Sequence, residues 1–227
     1  MKPLSELINI DEPGMQLVYA WLAEGTLDYQ ILPASTDSGG RLEETQVTTR
    51  SPMGAIVYET GGILVDGGWL RILGSGCDRM QRSLPEWNRD VLGENRSAYL
   101  VADDVLGGFF AINGGALGED VGSLYYFPYD DLSWQALEMN YSQFIAWCVT
   151  DGLHEFYGED RFPDWEERES SISPDQCFLF YPFLWAAEGS VARSHCKPVP
   201  ALETFHLKVE MINQLGEQTP EAKGEGK

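Results

Sequence analysis

The chain has 227 residues, 43% of them apolar and 12% aromatic, enough for a core that needs no disulfide or metal staple. Fifteen Lys and Arg stand against 36 Asp and Glu, a formal net charge of −21. A surface of that sign repels nucleic-acid phosphates and anionic membranes and attracts basic proteins. No run approaches the roughly 18 apolar residues of a membrane span. The first eleven residues carry acids and no apolar run of the signal-peptide kind, so a cytoplasmic protein is expected.

Asp11, Glu12 and Pro13 suit the first turn of a helix, with Leu17, Val18, Trp21 and Leu22 as its apolar stripe and Gly25 as its stop. Residues 27–32 read as a short strand. Residues 34–50 are polar, and 35–50 are expected to be a flexible excursion on the surface. Ser51-Pro52 places an N-cap before a helix that runs to about residue 60 and closes at Gly61-Gly62.

The pattern then changes. Residues 63–65 and 69–73 are apolar runs split by Asp66-Gly67-Gly68, a hairpin signal. Residues 75–86 read as loop, with Leu84 to Trp87 starting one helical turn. Residues 98–102, 108–113 and 123–127 are further strands, punctuated by Asp103-Asp104, Asn113-Gly114-Gly115 and Glu119-Asp120. Connections this short leave no room for parallel crossovers, so the strands from 69 to 127 are expected to be antiparallel neighbours in a meander.

Asn140 reads as the N-cap of a helix with Tyr141, Phe144, Ile145 and Cys148 on one face and Gly152 as its stop. An acidic loop, 159–173, follows. Residues 177–187 are densely aromatic, and Pro182 excludes a central strand or an unbroken helix. Residues 201–215 carry a helical stripe of Leu202, Phe205, Val209 and Ile212. Residues 216–227 form a polar tail expected to be disordered. The whole reads as one α+β domain over 1–215, an antiparallel sheet packed by helices.

Little in the chain points to chemistry. His154, His195 and His206 are far apart, with no HxH or HExxH spacing. Cys77, Cys148, Cys177 and Cys196 form no CxxC and read as free, mostly buried thiols. Gly74-Ser75-Gly76 lacks the spacing of a nucleophile elbow. The glycine pairs fit turns, not phosphate-cradling loops. No metal and no cofactor are expected. The tryptophans read as mostly core, with one or two available as interface anchors. The paired acids remain. Glu119, Asp120, Asp130, Asp131, Asp103 and Asp104 are the candidate partner-binding residues, because they fall in turns that project beyond the sheet.

Three segments carry a family likeness. They are Gly67-Gly68-Trp69-Leu70-Arg71-Ile72-Leu73-Gly74-Ser75, then Gly107-Gly108-Phe109-Phe110-Ala111-Ile112-Asn113-Gly114-Gly115, then Leu124-Tyr125-Tyr126-Phe127-Pro128-Tyr129-Asp130-Asp131-Leu132-Ser133-Trp134. Tyr141-Ser142-Gln143-Phe144-Ile145-Ala146-Trp147 follows. Over residues 61–165 this spacing resembles a bacterial domain-of-unknown-function family. The same block looks like the later half of the SUKH superfamily, although only Leu84-Pro85-Glu86-Trp87-Asn88 matches part of the usual SUKH opening helix. The resemblance implies a SUKH-like fold, and many SUKH proteins resemble immunity proteins that neutralise toxins by binding them. The expected function is therefore protein binding toward a basic partner, with toxin neutralisation as its sharpest form. The alternatives are a small hydrolase using Asp103, Asp104 or Asp130, and a housekeeping domain without a discrete ligand.

Overall fold

At the Asp66-Gly67-Gly68 turn the backbone enters the left-handed region at three successive residues, with φ of 54°, 63° and 86°. Glycine takes that conformation without steric cost, which is why two of the three are glycine. The turn joins the antiparallel strands β2 (Thr60–Val65) and β3 (Leu70–Leu73), with Val65 opposite Leu70. The computed structural model describes residues 1–93 and 97–217. In it, β1 (Tyr29–Pro33), β2, β3, β4 (Ala98–Asp104), β5 (Phe109–Asn113), β6 (Ser123–Phe127) and β7 (Gln135–Asn140) form one sheet of seven strands, each antiparallel to the next in chain order. The protein is a single α+β domain, and the four strands expected as antiparallel neighbours are neighbours.

Opposed residues form rows that define the two faces of the sheet. Gln30, Leu64, Arg71, Asp103, Phe109 and Phe127 are successive cross-strand partners and lie on one face. Ile72, Ala102, Phe110 and Tyr126 lie on the other. The second face is covered by α4 (Pro52–Glu59) and α6 (Tyr141–Trp147), on which α2 (Met15–Glu24) packs, and by α7 (Asp151–Tyr157), whose Phe156 meets Phe110 and Tyr126. Phe144 of α6 packs on Phe110 with ring centroids 5.0 Å apart. The first face is covered by α5 (Leu84–Leu92), by the two-stranded ribbon β8 (Gln176–Tyr181) and β9 (His195–Pro200), and by α9 (Ala201–Glu217). Trp87 stacks on Phe109, and Phe205 meets Phe109 edge-on at 5.0 Å.

Several expectations change here. The first helix starts only at Met15 and buries Met15, Val18 and Leu22, leaving Leu17 exposed. Residues 34–50, read as polar surface chain, hold a helix that the sequence pattern does not announce. They contain α3 (Ser38–Thr45), held down by the buried Leu42, beside a short α1 (Leu4–Leu7) that buries Leu7. The β3–β4 connection is long and carries all of α5, capped by Ser83, yet the strands it joins pair antiparallel. Gly61 and Gly62 lie within β2 instead of ending a helix.

Asn140 caps α6 as expected, in a capping box with Gln143. That helix ends before Gly152, which sits in the first turn of α7 and donates its N–H to the Thr150 cap. The acidic 159–173 stretch carries α8 (Trp165–Arg168) and buries Trp165. β8 ends at Tyr181, before Pro182, and belongs to a two-stranded ribbon, where proline at an edge is tolerated. In α9 the buried positions are Ala201, Thr204, Phe205 and Lys208, while Val209, Ile212 and Leu215 are exposed. The expected stripe is rotated toward the side that carries a lysine. Residues 218–227 of the expected tail lie outside the described residues.

Candidate functional site

Because adjacent strands run in opposite directions, the β2–β3, β4–β5 and β6–β7 turns share one end of the sheet and the β5–β6 turn lies at the other. This alone divides the six candidate acids. Asp103, Asp104, Asp130 and Asp131 belong to the first end, and Glu119 and Asp120 to the opposite end.

Asp103 and Asp104 do not project beyond the sheet as expected. Both are fully buried at the end of β4. Asp103 sits across from Arg71 of β3, whose Nη2 lies 2.6 Å from Asp103 Oδ1 in a charge contact and also donates to the Gln176 carbonyl at 2.7 Å. Arg82 Nη1 contacts the second oxygen of Asp103. Its Nε donates to Asp175 at 3.1 Å and its Nη2 to the Pro174 carbonyl at 2.6 Å. Burial works against the Arg82 charge, and the two carboxylates outweigh it. This network fastens residues 174–176, the approach to β8, onto the sheet. Buried charges persist only when paired in this way.

Asp104 faces the other side of the sheet. One oxygen accepts from the backbone N–H groups of Leu106 and Gly108, both at 2.9 Å. The other accepts from Tyr126 Oη at 2.6 Å and Tyr157 Oη at 2.9 Å. Gly108 is required here, since a β-carbon on it would lie 2.3 Å from the Asp104 carboxylate and 2.1 Å from Tyr126 Oη. Burial raises the Asp104 carboxyl above its ordinary range, and these hydrogen bonds, together with the Arg71 charge, resist the rise. Burial also raises the Tyr126 and Tyr157 phenols, with the Asp104 charge adding to it.

The exposed acids behave differently. Asp131 accepts from Leu132 N at 2.6 Å and from Ser133 Oγ at 2.7 Å, and the serine bond lowers its carboxyl. Asp130 is raised, first by partial desolvation and then by the nearby Asp160 and Asp131, with Lys208 opposing. Asp160 accepts from Tyr129 Oη at 2.8 Å. Asp160 is thereby tied to the β6–β7 turn that carries Asp130 and Asp131. At the opposite end, Asp120 accepts from Tyr125 Oη at 2.5 Å, which lowers its carboxyl, and Glu119 is exposed beside it.

Lys208 is a residue that the sequence does not flag. It is fully buried under α9, with Nζ 3.9 Å from the Phe127 ring centroid and donating to the carbonyls of Phe127, at 3.4 Å, and Pro128. Burial lowers its amine to about 7. Its place four residues after Thr204 and three after Phe205 puts it on the buried face, but its charge argues for the surface. Among the described residues no three His, Cys, Asp or Glu side chains gather as a metal site would need, and the four cysteines are free. The described surface also has an apolar groove of about 400 Å³ on the ribbon, lined by Leu179, Tyr181, Phe183, His195 and Lys197. Tyr181 is 72% exposed there.

Comparison with known proteins adds a family. Residues 4–204 match the family described as "Protein of unknown function DUF2625". The chain is 39% identical over 212 residues to the uncharacterized protein YbfG of Escherichia coli (strain K12), covering 93% of this chain and 97% of that protein. It is 37% identical over 189 residues to an uncharacterized protein of Haemophilus influenzae, covering 81% and 83%. The chain belongs to the DUF2625 family.

Proposed function

We propose that this protein is a protein-binding module whose partner is a basic protein and whose contact surface is the acidic end of the sheet. The observation that carries the reading is the pair Asp130 and Asp131 on the β6–β7 turn, with Asp160 tied to the same turn through Tyr129, in a chain of net charge −21. Like charges held together cost free energy that an incoming cation relieves, so the turn is built to receive Arg or Lys. The exposed Tyr181 on the ribbon groove is the kind of aromatic anchor that interfaces use. The SUKH likeness supports toxin neutralisation as the specific role, and a cytoplasmic location goes with it. Glu119 and Asp120 form a second, separate acidic site on this reading.

A carboxylate hydrolase is the second reading, and it rests on Asp130. Asp103 and Asp104 spend their lone pairs on internal partners, whereas Asp130 reaches solvent with a raised carboxyl. A pull-down from native cells at low salt separates the two. Capture of a basic protein that is lost in the Asp130→Asn, Asp131→Asn double variant is the expected result. Capture of an acidic protein would count against it. Turnover of a small ester or phosphoester substrate that disappears in Asp130→Asn would favour the hydrolase.

A further inference from the structure

Beside β1 to β3, the face of the sheet that carries Gln30, Leu64 and Arg71 is bordered by Arg79, Glu169, Ser170 and Pro174. Two joined cavities of about 190 and 270 Å³ lie there, sharing Leu64, Gly67, Gly68, Arg79, Glu169 and Ser170. The inner one has a buried floor of Leu64, Arg71 and Val105. The outer one opens past Asp28, Tyr29 and Gln30.

Two arginines in one cleft stand out in a chain with only 15 Lys and Arg. Arg71 is 1% exposed and is held in place by Asp103 and the Gln176 carbonyl through Nη2 alone. Its Nε and Nη1 have no acceptor within the protein. Buried donors of this kind are rare and call for a partner. Arg79, on the loop above, is steadied by Gln30 Oε1. The opposite wall is negative. Glu169 Oε2 occupies the space beside Gly67, 1.9 Å from where a β-carbon would stand. Trp165 Nε1 donates to the Asp66 carbonyl at 2.7 Å and pins the segment that carries Glu169 to the same turn.

We propose that this cleft binds a small zwitterionic carboxylate, with its carboxylate on Arg71 and Arg79 and its ammonium on Glu169. A guanidinium presents paired donors that match a carboxylate, and one fixed by Asp103 loses little freedom on binding. A plain anion meets Glu169 as a like charge, with Asp28 beyond it, whereas an α-ammonium group answers both. The inner cavity, about 190 Å³, has room for a ligand the size of glycine, alanine or serine, and the outer one opens it to solvent. The site is independent of the protein-binding reading.

The test is titration calorimetry on the full chain with glycine, alanine and serine, alongside acetate and inorganic phosphate. At least one amino acid is expected to saturate with a Kd of about 1 mM or tighter, and acetate and phosphate to bind at least about tenfold more weakly. Arg79→Met and Glu169→Gln change exposed residues, so each should keep the wild-type melting temperature and lose about tenfold in affinity. Arg71→Met leaves Asp103 short of a cation and is informative only if it folds, in which case binding should vanish. The proposal fails if no amino acid binds saturably up to about 10 mM. It fails equally if acetate or phosphate binds as well as the amino acids, if Arg79→Met and Glu169→Gln bind like wild type, or if a folded Arg71→Met still binds.

Discussion

At the residue scale the most unusual group is Lys208. Its amine is lowered to about 7 because burial removes it from water, and Asp104, Cys177, Asp130 and Asp131 recover only part of the loss. The unfolded chain keeps that lysine protonated up to about 10.4. Between pH 7 and 10 the folded state therefore binds fewer protons than the unfolded state, and the Lys208 contribution to stability rises with pH. Burial raises the thiols of Cys148 and Cys177, the latter to about 11, and they pull the other way once the unfolded thiols titrate near 9. The clean window is thus pH 7 to about 8.5. There, wild type minus Lys208→Met should show stability increasing by up to about 1.4 kcal/mol per pH unit, read from denaturant midpoints. A flat or falling difference would mean the amine is solvated. The sequence stripe of Leu202, Phe205, Val209 and Ile212 left Lys208 out. It did not reveal the burial, because the carbonyls of Phe127 and Pro128 that receive the ammonium come from a distant turn.

At the element scale, the legible parts are those where local chemistry and tertiary packing agree. The strands of the meander carry apolar runs bounded by glycine and acidic turns, and α6 carries its capping box in sequence. The elements that escaped sequence reading draw their stability from elsewhere. α3 is built from Ser38-Gly39-Gly40-Arg41-Leu42, a poor helix former, and exists because Leu42 is buried while α1 and α4 flank it. β7 is largely exposed and is held by its ladder to β6. Phe144 lies where both kinds of information meet. It is fully buried against Phe110, with Trp147 at 6.1 Å. Phe144→Ala should cost roughly 3–5 kcal/mol in denaturant titration. A loss below about 1 kcal/mol would show that α6 is peripheral to the core.

At the scale of the whole molecule, the charge of −21 was plain from composition, but its distribution was not. Six acids in turns look equivalent in sequence. The alternation of strand direction sends Glu119 and Asp120 to one end of the sheet and Asp130 and Asp131 to the other, and the pairing of β4 with β3 draws Asp103 inside. Likewise, the cleft over β1 to β3 joins Arg71, Arg79 and Glu169 from segments about a hundred residues apart, a distance that no spacing motif spans. For the proposed recognition of a basic protein by the acidic end, association kinetics with the captured partner give the sharpest test. Electrostatic steering acts over about 8–10 Å at physiological salt and is screened as salt rises. The on-rate should fall steeply between low and physiological ionic strength, and Asp130→Asn with Asp131→Asn should lower it and flatten its salt dependence while dissociation changes less. An on-rate indifferent to salt, or unchanged in the double variant, would rule out steering of a basic partner by this end.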